Sequence, residues 1–293
     1  MGRGSQVTVY VSMPTRGYEG AIGRDVVRGA RLALAQAHNT AGDLAVRAVY
    51  LDDTEPGAAG ARWSPSQAAA NARTAIEDST AIAYIGELDS GATRSSLPIT
   101  NEARLLQVSP ASGAVDLVTP FRGSDAAPKE LQRTGERTFG RVIPADDVTA
   151  RAARRWAPGA VVLYPDASTD RLERVPGSRA VSAAQDPAQL PATGRRFADA
   201  YVREYGDEPG RYAAYGYEAT AVVLDSIARA GEDGTNRAAV IDEFFATDSR
   251  ESVLGTYSID DLGETTLDRL AGYRVDSSGL AFVRGLTAPR PAG

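Results

Sequence analysis

Cysteine is absent from this 293-residue chain, and histidine occurs once, at His38. The first absence excludes disulfides, thiolate zinc sites and a cysteine nucleophile; the second removes most histidine triads and histidine metal cages. Ser90 and Ser112 lie in no G-x-S-x-G elbow, so a serine hydrolase would have to use His38 as its base. A nucleotide enzyme also lacks its parts. Gly17-x-x-Gly20-x-x-Gly23 has neither the G-x-G-x-x-G spacing nor a Walker lysine, and Lys129 is the single lysine among 32 basic residues. Against 38 acidic residues the formal net charge is -6, which gives no electrostatic reason to expect nucleic acid or an anionic membrane as partner. No apolar run approaches the roughly 18 residues that span a bilayer. Residues 1–6 lack the apolar core of a signal peptide, which leaves open an internal protein or one whose export segment was removed. The expectation is a non-catalytic protein that uses no cofactor and no metal.

What is present is an α/β alternation. Hydrophobic residues make up 43% and charged residues 24% of the chain, as in a globular protein with room for two domains. Val7–Val11 reads as a strand, Gly17–Gly23 as a loop, and Val27, Ala30 and Leu34 recur at helical spacing up to Ala37. A strand over Leu44–Leu51 ends at Asp52-Asp53, and a helix over Pro65–Asp78 follows, with Ser64 as cap and Pro65 at its first position. The most informative stretch is Tyr84–Leu117, YIGELDSGATRSSLPITNEARLLQVSPASGAVDL, which twice runs an apolar strand into a loop of small hydroxyl residues. Ala81–Ile85 leads to Ser90, Thr93 and Ser95 at the start of a helix, where free N–H groups and the dipole favour an anion. Leu105–Val108 leads to Ser109-Pro-Ala-Ser-Gly113. A right-handed strand–helix–strand unit brings both loops to the carboxyl edge of a parallel sheet, where ligands of open α/β sheets bind.

Further on, residues 113–137 read as irregular and Thr138–Ile143 as a strand ending at a domain crossing. A thin second module follows: a helix over Asp147–Ala157, strands at Ala160–Tyr164 and Arg179–Ala183, and a short helical piece over Ser168–Val175. Helices are expected over Ala192–Tyr205, Tyr212–Ala230 and Arg237–Ala246, then a strand over Gly255–Asp260. A hairpin over Leu270–Val275 and Leu280–Val283 turns through a four-residue loop.

Several separated motifs resemble those of the extracellular solute-binding proteins of branched-chain amino acid ABC transporters, the Leu/Ile/Val-binding, type I periplasmic binding family. VYVSMPTRGYEGAIGRDVVRGARLALAQAHN is similar to that family's opening strand, ligand loop and first helix. YIGELDS and LLQVSPASG resemble its two ligand loops, and FGRVIPADD its first inter-lobe crossing. FADAYVREYGDEPGRYAAYGYEATAVVLDSIARAG resembles its late helix pair, and VLGTYSIDDLGETTLDRLAGYRV its last crossing. The order of these motifs over most of the chain is what makes the resemblance specific.

The resemblance implies a two-lobed α/β fold with parallel doubly wound sheets: residues 5–141 and 186–258 as lobe 1, 142–185 and 259–286 as lobe 2, and 287–293 as a tail. One departure is large. Only Pro158 and Gly159 separate the helix ending at Ala157 from the next strand, where the family carries two further βα units, so about 60 residues are missing. Lobe 2 is thus expected to be reduced, to lean on lobe 1 or a partner, and to lack aromatic residues that the family adds to the cleft.

For function, the resemblance implies capture of an amino acid or similar small zwitterion between the lobes for an ABC importer, at an extracellular or periplasmic location and with a membrane tether in the precursor. Ser90 and its loop, with Thr93, would hold the ligand carboxylate. Ser112 and the carbonyls near Ala111 would hold the ammonium, Asp166 would pair with it, and Tyr18 would cover the apolar side chain. Gly113 stands where the family usually has threonine, so one side-chain donor is lost. A ligand-sensing domain of the same fold, or an interaction module that has lost its ligand, are the alternatives, and the oligomeric state is not legible.

Other roles stay open for the same residues. Ser90 and Asp166 can each cap a helix, Ser112 can serve a turn, and Tyr18 can be a surface aromatic. Asp52 and Asp53 suggest a metal pair, with capping and turn roles commoner. His38 reads as a helix-end cation, Tyr201, Tyr205 and Tyr217 read as core, and Trp63 and Trp156 follow no pattern. Arg151, Arg154 and Arg155 form either a solvated face or a docking patch.

Overall fold

A computed structural model describes residues 6–57, 60–120, 127–163, 177–277 and 279–288. Asp166 and the helical piece expected over Ser168–Val175 lie outside the described residues. The larger sheet has six strands in the order β2-β3-β1-β4-β5-β6. These are β1 (Gln6–Met13), β2 (Thr40–Ala41), β3 (Leu44–Asp52), β4 (Ala81–Ile85), β5 (Leu106–Ser109) and β6 (Phe139–Arg141). All neighbours are parallel except β2, which runs antiparallel to β3.

Strand periodicity sorts β1 between two layers. Val7, Val9, Val11 and Met13 face a core shared with α1 (Gly20–Gln36), α7 (Ala213–Arg229) and α8 (Arg237–Phe245). Tyr10 faces the other side, where it packs with Tyr84, Ala72 and Ala75 beneath α2 (Pro65–Glu77), while α3 (Ser90–Glu102) covers the adjoining strands. A sheet buried on both faces explains why its strands read as continuous apolar runs. Local signals set the helix ends as expected at α2, where the Ser64 hydroxyl accepts from Gln67 N–H at 3.3 Å and Pro65 opens the helix. At α3 the cap is Asp89, whose carboxylate accepts from Gly91 N–H, so the capping reading of Ser90 is corrected by one residue.

The smaller sheet has the order β12-β11-β8-β7, with β7 (Val161–Leu163), β8 (Arg179–Ser182), β11 (Arg269–Asp276) and β12 (Gly279–Thr287). Only β7 and β8 pair in parallel; β11 joins β8 and β12 antiparallel. Asp276 pairs with Gly279, so the hairpin loop is two residues shorter than expected. The strand expected over Gly255–Asp260 is the short β10 (Gly255–Tyr257), paired with β9 (Arg250–Ser252), which the sequence did not signal.

The two layers share one apolar cluster. Ala152 and Ala153 of α5 (Asp146–Trp156) and Val181 of β8 join it, as do Leu190, Tyr215 and Leu254. The Tyr215 hydroxyl bonds the connecting segment directly, accepting from Gln185 N–H at 3.0 Å. A four-stranded sheet with little core of its own is thereby held against the larger body.

Chain crossings between the sheets are tied to one another by Arg141, the last residue of β6, whose side chain is fully buried. Its guanidinium pairs with both carboxylate oxygens of Glu264 in the last crossing and donates to the Ser112 and Ala114 carbonyls at 3.0 and 2.8 Å. Arg141 N–H donates to Gly263 O at 3.0 Å beside it. Replacing Arg141 by Met leaves Glu264 unpaired and strips the buried Ser112 carbonyl and the half-buried Ala114 carbonyl of their donor. Urea denaturation should show a loss of about 3–5 kcal/mol, while Arg141→Lys, which cannot fork across Glu264, recovers only part of it.

Candidate functional site at the carboxyl edge of the larger sheet

The carboxyl ends of β1, β3, β4 and β5 converge on a hydroxyl-rich network built on the backbone of Glu87. Thr93 Oγ1 accepts from Glu87 N–H at 3.3 Å, and Glu87 O accepts from Ser109 Oγ at 2.8 Å and Ser112 Oγ at 3.1 Å. Ser109 Oγ in turn accepts from Ala111 N–H and Ser112 N–H, which folds the second loop into a compact turn. Gln107 of β5 fixes the rear, donating to Gly86 O at 3.1 Å and Ser96 Oγ at 2.9 Å while its amide oxygen accepts from Thr100.

Besides the bonds from Ser109 and Ser112 to the Glu87 carbonyl, two more join the loops directly. Thr93 Oγ1 and Ser112 Oγ are 2.7 Å apart, and Ser90 Oγ accepts from Ala114 N–H at 3.1 Å. The Arg94–Asp116 ion pair, at 2.6 Å, adds a further tie nearer the surface. Four of the expected residues, Ser90, Thr93, Ala111 and Ser112, are therefore brought together. Thr93, Ala111 and Ser112 are buried, so their groups hold the loops to each other, whereas Ser90 is partly exposed at the first turn of α3.

Tyr18 is exposed on the loop leading to α1, and its ring lies 4.9 Å from the Arg62 guanidinium, which pairs with the buried Glu19 at 3.2 Å. Trp63, unassigned in the sequence, lies against α3: a Cβ on Gly91 would sit 2.6 Å from its ring. This makes Trp63 an aromatic wall beside Ser90. Gly113 is explained the same way. A side chain there would meet Asp146 Oδ1 at 2.1 Å, so the Asp146 carboxylate occupies the place where the resembling family has threonine.

Beneath the loops lies a pair of carboxyls that sequence reading did not assign to the site. Glu87 and Asp53 are both fully buried, and Tyr84 OH donates to Glu87 Oε1 at 2.6 Å. Burial pushes the Glu87 carboxyl up to about 7, against hydrogen bonds from Tyr84 and Asp53 that favour its charged form. Burial also pushes the Asp53 carboxyl well above the carboxylate range, reinforced by the Glu87 charge it faces and by Asp52 and Glu19 nearby. Burial thus holds both carboxyls toward their protonated forms. Asp52 takes a turn role of the kind favoured in the sequence: it turns outward to Arg16 at 2.5 Å and to the N–H groups of Thr15 and Thr54, while Asp53 turns inward. Among the described residues no cluster of three potential metal ligands forms. Alternating run-and-loop patterns could reveal the hydroxyl loops, but nothing local marks Asp53 and Glu87 as neighbours, since they come from different strand ends.

No protein-family sequence model and no curated protein sequence matches the chain. Solved structures do match it in shape. A leucine-binding protein from Thermotoga maritima superposes with a TM-score of 0.75 over 96% of this chain and 99% of that one, at 19% identity. The branched-chain amino acid substrate-binding protein LivJ of Streptococcus pneumoniae, in complex with isoleucine, gives 0.69 over 97% and 100% at 17% identity. A transporter solute-binding protein of Rhodopseudomonas palustris BisB5, in complex with 3,4-dihydroxybenzoic acid, gives 0.66 over 98% and 99% at 15% identity. At such identities the likeness establishes the fold: this is a two-lobed type I periplasmic-binding-protein architecture.

The Glu87 shift carries a pH signature. Between its ordinary value of 4.5 and about 7 the unfolded chain is the more ionised, so stability falls as pH rises through that window. Glu87→Gln removes this slope, and the variant should be more stable than the parent at about pH 8 by about 2–3 kcal/mol, with little difference near pH 5. Thermal melts of both proteins across that range check it.

Proposed function

We propose that the chain is a non-catalytic solute-binding protein that captures an amino acid or similar small carboxylate between its lobes and delivers it to an ABC importer. The observation that carries this reading is the pair of joined hydroxyl loops at the carboxyl edge of the larger sheet, beside the crossings to the second lobe. In this reading Ser90 and the first-turn N–H groups of α3 receive the carboxylate, where the helix dipole favours an anion. Thr93 and Ser112 hold the two loops in register, and carbonyls around Ala111 face the ammonium, with Asp166 as its charged partner. Tyr18 and Trp63 flank the apolar part of the ligand. The bound amino acids and aromatic acid of the solved neighbours support the ligand class, and their transporter role supports a permease partner and a periplasmic or extracellular location. No described helix is long and apolar enough to cross a membrane.

Residues 5–141 with 186–258, and 142–185 with 259–286, are the lobes of this proposal. The small second sheet and its shared core imply that closure is a limited movement. A thermal-shift screen with the twenty amino acids and simple aromatic carboxylates tests it. At a hundredfold excess over the dissociation constant a ligand adds about 2.7 kcal/mol of stability, which in a protein of this size raises the midpoint by roughly 5 °C or more. Ser90→Ala should weaken that ligand about tenfold or more, the loss of one hydrogen bond to a charged group. A screen in which no solute shifts the midpoint overturns the proposal.

A further inference from the structure

A second constellation lies on the α1 flank of the larger sheet, beside the carboxyl ends of β1 and β3 and apart from the two hydroxyl loops. Arg24, Arg28 and Arg31 recur at i, i+4 and i+7 and so share one face of α1. They line a hollow of about 510 Å³ together with Tyr50 of β3 and Tyr205, the last residue of α6 (Ala192–Tyr205). The arginines and rings are already associated: the Arg31 guanidinium is 4.5 Å from the Tyr50 ring centre, and that of Arg28 is 5.2 Å from the Tyr205 ring centre.

The nearby carboxylates offset this face only in part: burial raises the Asp25 carboxyl while the Arg28 and Arg24 charges favour its ionised form, and Asp52 is itself part of the lining. Asp52 is engaged by Arg16 and two backbone N–H groups, and Asp25 accepts from Tyr201 OH at 2.9 Å. Arg28 has a long pairing, 3.4 Å, with the exposed Asp207. Arg24 donates to a carbonyl, Thr15 O at 2.7 Å, and among the described residues neither it nor Arg31 has an ion-pair partner. An excess of guanidinium thus gathers in one hollow of a chain whose net charge is -6.

We propose that this hollow is a second binding site, for a small flat molecule carrying two negative charges. Guanidiniums match carboxylate and phosphate oxygens through paired N–H donors and also stack on planar groups. Three on one helix face suit more than one anionic group, and two tyrosine rings set beside them suit a flat apolar body. The volume falls within the range of small-molecule sites. An aromatic dicarboxylate and a nucleoside monophosphate share this chemistry. The inference stands on its own geometry and does not depend on the cleft reading.

Calorimetric titration of the full chain with phthalate and with adenosine monophosphate separates the two sources; the neutral phthalamide is the control. The expected result is binding of one dianion with a dissociation constant below about 1 mM, weakening with added salt, and no binding of phthalamide. The Arg24→Gln/Arg31→Gln variant should lose about tenfold or more in affinity while keeping its response to any cleft ligand. Should that variant melt early, shifts of the Tyr50 and Tyr205 ring resonances in the parent chain report the same contact. The inference is overturned if neither dianion binds, if the variant binds as well as the parent, or if the perturbed resonances belong to Trp63 and the Ser90 loop.

Discussion

The buried guanidinium of Arg141 joins three segments that are far apart in sequence: the end of β6, the second hydroxyl loop and the last chain crossing. Desolvating an arginine costs several kcal/mol, and only a partner set that uses most of its donors offsets this. Glu264 takes two of them and the carbonyls of Ser112 and Ala114 take more. The consequence is positional. The second loop cannot move relative to the crossings without uncovering a buried charge, so the half of the site carried by the larger lobe is fixed to the frame about which the lobes are joined.

The second lobe makes sense in that frame. It has four strands, a single parallel pair and one flanking helix among the described residues, too little to bury a stable core alone. Leu163, Ala180, Ala271, Tyr273 and Val275 form a small cluster of their own, while Val181, Ala152 and Ala153 join the core of the larger lobe beside Leu190, Tyr215 and Leu254. A lobe that borrows part of its core resists swinging widely, because a wide opening would expose that shared surface.

The larger sheet was legible because both of its faces are covered: continuous apolar runs such as Ala81–Ile85 and helical spacing such as Val27, Ala30 and Leu34 report burial directly. The hydroxyl loops were legible for a related reason, since a strand end followed by Ser, Thr and Gly has few uses besides capping and binding. What stayed hidden is long-range. Asp53 and Glu87 meet only after β3 and β4 are placed on either side of β1, and Arg141 in Phe-Gly-Arg-Val reads as an ordinary strand-end charge until Glu264, 123 residues later, is folded against it. The one-residue error at the start of α3 has a local cause. Asp89 and Ser90 are both good caps, and only the observed extended backbone at Asp89 decides between them.

Two buried devices therefore bracket the same loops. From one side Arg141 holds the carbonyls of the second loop; from the other, the backbone of Glu87 receives the hydroxyls of Ser109 and Ser112, while its side chain rests on Tyr84 and Asp53. Because the hydroxyls of Thr93 and Ser112 are spent on each other, the loops are ordered before any ligand arrives, and ordering them costs nothing at the moment of binding. A prearranged half-site can hold a ligand with modest closure, which is the one kind of closure that a small, tethered second lobe permits. The same arrangement carries a liability. Ionising the pair beneath the loops places two like charges in a dry space, which burial and their mutual repulsion both oppose. The stability of the fold and the protonation of that pair are thus linked through burial.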